Sequence, residues 1–348
     1  METKEAVKLN LSVASSPHAS APQGTKQLMR DVLIALIPAL AIAVYFFGPR
    51  ALMLTAVSAA ACVFFEWGYR KLMKQSNTVG DYSAAITGVL LAFVCPVYLP
   101  YWIIIIGDFF AIVLVKQLFG GLGKNFLNPA LAGRAFLMLC YPVQMTTWVV
   151  PGPKNWAGLF SNADAVTGAT PLSADFMHSG IMPEASLADM FVGNVGGCIG
   201  EVSALMLLLG GIYLLWRGVI RFRIPVAFIG TVAVLTFLFP QGGNGNLEWM
   251  LYEVLGGGLF LGAFFMATDY VTSPATNKGE WIFGIGCGLL TVFIRYFGGY
   301  PEGVSYAILL MNLCVWVFDQ VGQPARFGVT KEMKQAAKLK AKAEKGGQ

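Results

Sequence analysis

Histidine is almost missing from this chain. Its 348 residues include two, His18 in a polar N-terminal stretch and His178 in a long connecting stretch, which excludes a haem gripped between buried histidine pairs. Cysteine is scarce and scattered: Cys62, Cys95, Cys140, Cys198, Cys287 and Cys314 fall one to an apolar segment, with no C-x-x-C spacing. That distribution argues against a chain supplying all four ligands of an iron–sulfur cluster, and against structural zinc or a disulfide framework. It leaves the six cysteines as small buried hydrophobes. Charge is sparse too. Only 12% of residues are charged against 56% hydrophobic, and the mean hydropathy is +0.63, a composition that soluble domains do not have. The net charge of +5 comes from 24 bases and 19 acids, and the bases punctuate apolar runs instead of gathering on one face, so no nucleic-acid partner is expected. No G-x-G-x-x-G fingerprint is present, and residues 1–29 lack the apolar run of a cleavable signal peptide.

What the chain does have is apolar length. Ten segments approach the roughly 20 residues that span a bilayer as helix: 31–48, 51–69, 83–98, 101–119, 128–148, 192–215, 224–240, 250–267, 281–297 and 303–319. Their continuous apolarity, rich in Gly and Ala, predicts packed helices and not the alternating strands of a membrane barrel. With the N-terminus inside, twenty of the 24 bases fall on inner loops and tails, the other four being Arg50, Lys154, Arg295 and Arg134. The asymmetry predicts both termini on the cytoplasmic side of a prokaryotic cell membrane. The expected organisation is a cytoplasmic tail at 1–29, five helices over 30–148, an extracytoplasmic loop at 149–191, five helices over 192–320, and a basic cytoplasmic tail at 321–348. A connection as long as 149–191 in a compact bundle is usually functional.

The two halves resemble each other. Phe119-Gly120-Gly121 and Phe297-Gly298-Gly299 each precede the last helix of a five-helix half. Five is odd, so the second half would enter the membrane upside down, and the fold class expected is an all-α polytopic membrane protein of about ten helices in two inverted repeats. Asp108, mid-segment in IIIIGDFFAIV, must be protonated, paired or facing a polar cavity, and it is a candidate for the passage of an ion.

The long loop contains Asp164-Ala165-Val166-Thr167-Gly168-Ala169-Thr170, the pattern D-x-x-[S/T]-G-A-T. On residues alone this is a polar turn before Pro171, with Asp164 or Thr167 as a helix cap. It also resembles the signature at which flavin transferases esterify the phosphate of FMN to the terminal threonine. A second stretch, FGGLGKNFLNPALAGRAFL over 119–137 followed by YPVQMTTW, is similar to the B subunit of the sodium-pumping NADH:quinone reductase and its homologue, the D subunit of the Rnf ferredoxin:NAD⁺ reductase. MATDYVTSPATNKGEWIFGIGCGLLTVFIRYFGGYPEGVSYAILLMN over 266–312 agrees, and the resemblance runs from about residue 30 to 320. The short N-terminal tail favours the Rnf branch.

The resemblance implies an electron-transfer subunit of an ion-translocating ferredoxin:NAD⁺ oxidoreductase, embedded in the lipid bilayer beside other membrane and peripheral subunits, with the NAD and ferredoxin sites elsewhere. It implies covalent FMN on Thr170, attached by a separate flavin transferase that reads Asp164, Thr167, Gly168 and Ala169; the serine more usual at position 167 is replaced by another hydroxyl. It further implies a noncovalent riboflavin near Asn125 and Asn128, although an asparagine ahead of Pro129 also caps a helix unaided. The competing readings are a quinone-reductase B subunit and a cofactor-free solute channel or transporter on the same repeat.

Overall fold

A computed structural model describes residues 24–152, 168, 170–172, 180, 182–183, 185–241, 245–298 and 303–321. Asp164, Thr167, Ala169 and most of both tails lie outside the described residues. Helices dominate the described residues, and an isolated antiparallel bridge pairs Pro96 with Cys198.

The N-terminal half is built from α1 (Thr25–Phe47), α2 (Pro49–Leu72), α3 (Ser83–Phe93), α4 (Tyr101–Phe109) and α5 (Pro129–Cys140). Gly48 alone joins the first two: its φ of +79° reverses the chain, and Pro49 at the first helical position of α2 needs no amide partner. Four long helices follow the loop, at Ala204–Trp216, Arg223–Leu238, Asn277–Phe297 and Val304–Leu313, along with a broken one formed by Asn246–Leu255 and Leu259–Leu261.

Among the described residues, three helices are long and apolar enough to cross a membrane, namely α1, α2 and Asn277–Phe297. Asn246–Leu255 and Leu259–Met266 together make a fourth, bent by 60°. The runs expected at 83–98, 128–148 and 192–215 are helical over shorter lengths. In the first, Pro96 and Pro100 deny the backbone its amide donors, so α3 stops at Phe93 and 94–100 runs in non-helical turns. Pro142 ends the second in the same way, and the glycines at 193, 196, 197 and 200 hold the third open until Ser203 caps the Ala204–Trp216 helix. The two non-helical pieces meet inside the protein: Gly200 N donates to Phe93 O at 2.7 Å and Ile199 N to Cys95 O at 3.2 Å. Backbone that leaves helical geometry at this depth is satisfied by other backbone, as a bilayer requires.

Each half also contains a wider helical turn with bonds from residue i to i−5. Leu118 N to Val113 O closes one after α4, over Phe110–Gln117, and Ala267 N to Gly262 O closes the other, over Gly262–Met266. Small residues bring the helices together: a methyl group on Gly284 would come within 2.6 Å of Ala227 Cβ, and one on Gly88 within 2.6 Å of the Ser58 carbonyl oxygen. The outer surface is apolar, with Ile37, Phe64, Leu139, Trp216 and Phe293 exposed, while charges such as Glu66, Lys116, Glu253 and Arg295 are buried. A hydrocarbon solvent favours this arrangement.

Candidate functional site

Two recesses contain the candidate residues. The first is a cleft of about 80 Å³ between the halves. Its walls are largely apolar, including Leu90, Leu214, Phe264 and Phe265, and its polar groups include Lys116, Asn125, Asn128 and Asp269. The two asparagines have different duties. Asn128 Oδ1 caps α5 by accepting from Ala130 N (3.1 Å) and Leu131 N (3.4 Å), while its Nδ2 donates across the halves to Met266 O at 3.2 Å. Asn125 Nδ2 donates to the nearby Leu127 carbonyl at 3.0 Å, and its buried Oδ1 has no partner among the described atoms. An unsatisfied acceptor beside a cavity costs free energy unless a ligand or water donates to it.

Lys116 reaches the same cleft from the wide turn after α4. Its ammonium donates to Glu66 Oε2 at 2.9 Å and Ser83 Oγ at 2.7 Å, and Thr78 Oγ1 donates to the other carboxylate oxygen at 2.6 Å. On the far wall, Asp269 Oδ2 accepts from Thr272 Oγ1 at 3.1 Å. An aromatic-walled cleft with an amide acceptor, a buried cation and a carboxylate suits a flat heterocycle whose edge carries both donors and acceptors.

The second recess contains Thr170. It is shallow, about 20 Å³, lined by Thr170, Pro171, Leu172, Met190, Glu201 and two glycine pairs, Gly196-Gly197 and Gly256-Gly257. Thr170 is half-buried, and Gly168 is tied to the scaffold by its amide bond to Trp148 O at 3.2 Å. Leu172 anchors the segment in a small satellite core with Met190, Trp249 and Tyr252. The short helix Leu187–Val192, which carries Met190, is capped by Ser186; that hydroxyl and the Asn194 amide hold the exposed Asp189 carboxyl below its usual range. A recess this small holds little more than a water. Its half-exposed threonine and side-chain-free glycine wall therefore suit a bulky group attached from outside.

Between the recesses runs α5. It starts at the first with Asn128, and Arg134, further along it, donates to Ser305 Oγ at 2.7 Å with its second nitrogen 4.0 Å from Cys198 Sγ. Cys198 adjoins Gly197 and Glu201 of the second recess, and its thiol donates to Val94 O at 3.2 Å. Asn128 at the first recess and Arg134, which contacts Cys198 beside the second, are thus both placed by α5, with the apolar residues 129–133 between them. Among the described residues, no His, Cys, Asp and Glu cluster is arranged to hold a metal ion.

Asp108 is fully buried away from both recesses. Ser58 Oγ donates to its Oδ1 at 2.7 Å and Cys62 Sγ at 3.2 Å, and Oδ2 has no partner among the described atoms. Arg295, expected on the outer side, is instead fully buried against Glu253 at 2.8 Å, because a guanidinium inside a membrane needs a counter-charge more than it needs the interface. In the sequence, Lys116, Glu201 and Asp269 are single charges within or beside apolar runs. Their convergence on the two recesses comes from helix packing, which no local pattern encodes.

A model of the NQR2, RnfD, RnfE family matches residues 12–328. The D subunit of the Na(+)-translocating ferredoxin:NAD(+) oxidoreductase complex of Acetobacterium woodii is 47% identical over 331 residues, covering 94% of this chain and 98% of the relative. The D subunit of the proton-translocating ferredoxin:NAD(+) oxidoreductase complex of Clostridium ljungdahlii is 42% identical over 336 residues, covering 92% and 98%. The D subunit of an ion-translocating oxidoreductase complex of Actinobacillus succinogenes is 35% identical over 343 residues, covering 90% and 96%. The chain belongs to the NQR2, RnfD, RnfE family and, with its apolar helices, is a multi-pass membrane protein.

Proposed function

We propose that this chain is the electron-carrying D subunit of an ion-translocating ferredoxin:NAD⁺ oxidoreductase. FMN is esterified to Thr170 by a flavin transferase, and riboflavin lies in the cleft at Asn125, Asn128, Lys116 and Asp269. The observation that carries the reading is the pair of recesses joined by α5, one with the flavinylation threonine at its rim and the other with a buried unsatisfied acceptor. Relatives named as D subunits of ferredoxin:NAD(+) complexes along nearly their full length support this branch over the quinone-reductase one.

Flavin supplies the redox chemistry, accepting and passing on electrons singly or in pairs. The chain's own residues hold and insulate it. Asn125 Oδ1 accepts from a ring N–H, Lys116 presents a fixed positive charge to the cleft, and Phe264 and Phe265 exclude water. Glu66 and Ser83 hold the Lys116 ammonium in place, so that charge is preorganised. In the proposed arrangement the second half is inverted relative to the first, both termini are cytoplasmic, and the Thr170 recess faces outside. Asp108 belongs to the ion step, supported by its burial and its unpartnered oxygen.

The test is a visible spectrum with cofactor mass analysis of the chain purified after co-expression with a flavin transferase. The expected result is a yellow protein in which the peptide containing Thr170 gains the mass of one FMN less one water, as a phosphoester requires, together with one acid-extractable riboflavin. A colourless protein with an unmodified peptide would return the chain to the solute-channel reading.

A further inference from the structure

We infer that Arg295 is a positioning residue for the Thr170 segment, acting through the broken helix at Gly256–Gly258. The inference rests on the reading of Thr170 above as the attachment point.

The helix Asn246–Leu255 stops in the protein interior, so its last carbonyl groups lose the amides that a further turn would have supplied. Arg295, on the neighbouring helix Asn277–Phe297, replaces those donors. Its Nη1 donates to the Glu253 carbonyl at 2.6 Å and to Glu253 Oε2 at 2.8 Å; its Nη2 donates to Gly256 O at 3.2 Å and Gly257 O at 3.5 Å. Both charged side chains have no solvent exposure. A planar guanidinium can serve three carbonyls and a carboxylate at once, whereas a lysine ammonium is a single point with three donors.

The cap bears directly on the Thr170 recess. Gly257 has a φ of +65°, and a methyl group there would lie 2.5 Å from Arg295 Nη2 and 2.5 Å from Leu172 Cδ1. The same glycine backbone is therefore gripped by Arg295 and overlaid by Leu172, two residues from Thr170. A methyl on Gly256 would come within 3.0 Å of Leu172 Cγ, so the contact extends along the break. Without the guanidinium, the freed carbonyls must turn toward other donors, and the surface on which Leu172 rests moves with them. Nothing in this chain of contacts requires Arg295 to touch the group on Thr170.

The experiment pairs a flavin readout with one that needs no flavin. In the full chain co-expressed with a flavin transferase, Arg295→Met combined with Glu253→Gln removes both buried charges together, so the bundle keeps no uncompensated ion. We expect covalent label to persist, iodide quenching of the native flavin fluorescence to rise at least twofold, and the flavin midpoint potential to shift. Separately, a Leu172→Cys/Gly256→Cys pair should cross-link under mild oxidation in the parent, with the yield falling at least threefold when Arg295 and Glu253 are replaced. Arg295→Lys, which keeps the charge but not the fork, should fall between parent and double variant in both readouts and covers the case in which the double variant fails to assemble. Unchanged quenching, potential and cross-link would overturn the inference. A parent without covalent flavin but with an Arg295-dependent cross-link would overturn the reading of Thr170 and leave Arg295 as the residue that seats Leu172.

Discussion

At the scale of single residues, the two asparagines of KNFLNPA separate. Asn128 spends its side chain on two amides of α5 and a carbonyl of the other half, whereas Asn125 keeps a buried oxygen free beside the cleft. Asn128→Leu should therefore destabilise the protein by ~1 kcal/mol or more through the lost cap, read as a lower melting temperature in detergent. Asn125→Leu should leave the melting temperature nearly unchanged and remove acid-extractable riboflavin while covalent FMN stays. Loss of riboflavin from neither variant would make both residues structural. The sequence showed that either residue could be a cap, and only the packed structure distributes the roles. Lys116 illustrates the same limit: its bond to Glu66 spans fifty positions in the chain. Lys116→Met leaves the Glu66 carboxylate with Thr78 and, at 3.9 Å, Arg70, and should cost less than the roughly 3–5 kcal/mol of a fully unpaired buried charge, whereas Lys116→Met with Glu66→Gln should recover much of it. Asp108→Asn keeps shape and hydrogen bonding but deletes the ionisable oxygen. It should lower ion transport by reconstituted complex at least tenfold while in-gel flavin fluorescence is unchanged; unaltered transport would place Asp108 outside the ion step.

At the scale of elements, apolar runs were readable and their interruptions were less so. The long helices α1, α2 and Asn277–Phe297 follow from hydropathy alone, because a continuous apolar stretch in lipid has no better way to satisfy its backbone. The non-helical pieces at 94–100 and 193–203 lie within runs as apolar as the helices. They differ through proline and glycine, and through each other's backbone, which lies a hundred residues away. Likewise the triplet Gly256-Gly257-Gly258 marks a weak point in a span, but its geometry depends on Arg295. Gly257 and Gly258 both have a φ of +65°, a region that costs other residues about 1–3 kcal/mol. Gly257→Ala adds a clash with Leu172 and Arg295 to that cost, whereas Gly230, where a methyl group meets nothing within 4 Å, has ample room. Gly257→Ala should lower the melting temperature clearly and Gly230→Ala should not; equal effects would mean that the break is not held as described.

At the scale of the whole molecule, the charge pattern of the sequence predicts both termini on the cytoplasmic side. A cysteine introduced at Ser161, in a background with the exposed Cys140 and Cys314 replaced by serine, should react with an impermeant thiol reagent on intact cells. Labelling only after lysis would reverse the topology. The helical membrane class was legible because composition and continuous apolarity act along the chain, and the D-x-x-[S/T]-G-A-T pattern was legible because its residues are contiguous. The cleft was not, since it is assembled from both halves, and the glycine-walled recess was not, since it joins the loop residues 170–172 and Met190 to residues 195–202 and 255–257. The central claim, that this protein carries flavin on Thr170, is tested most directly by fluorescence under ultraviolet light after denaturing electrophoresis. A phosphoester survives denaturation and a merely bound flavin does not. The account predicts a fluorescent band for the parent co-expressed with its transferase, some label in Thr170→Ser, and none in Thr170→Val, which keeps nearly the same shape without the oxygen. A fluorescent band in the Thr170→Val chain, or a dark one in the parent, would contradict it.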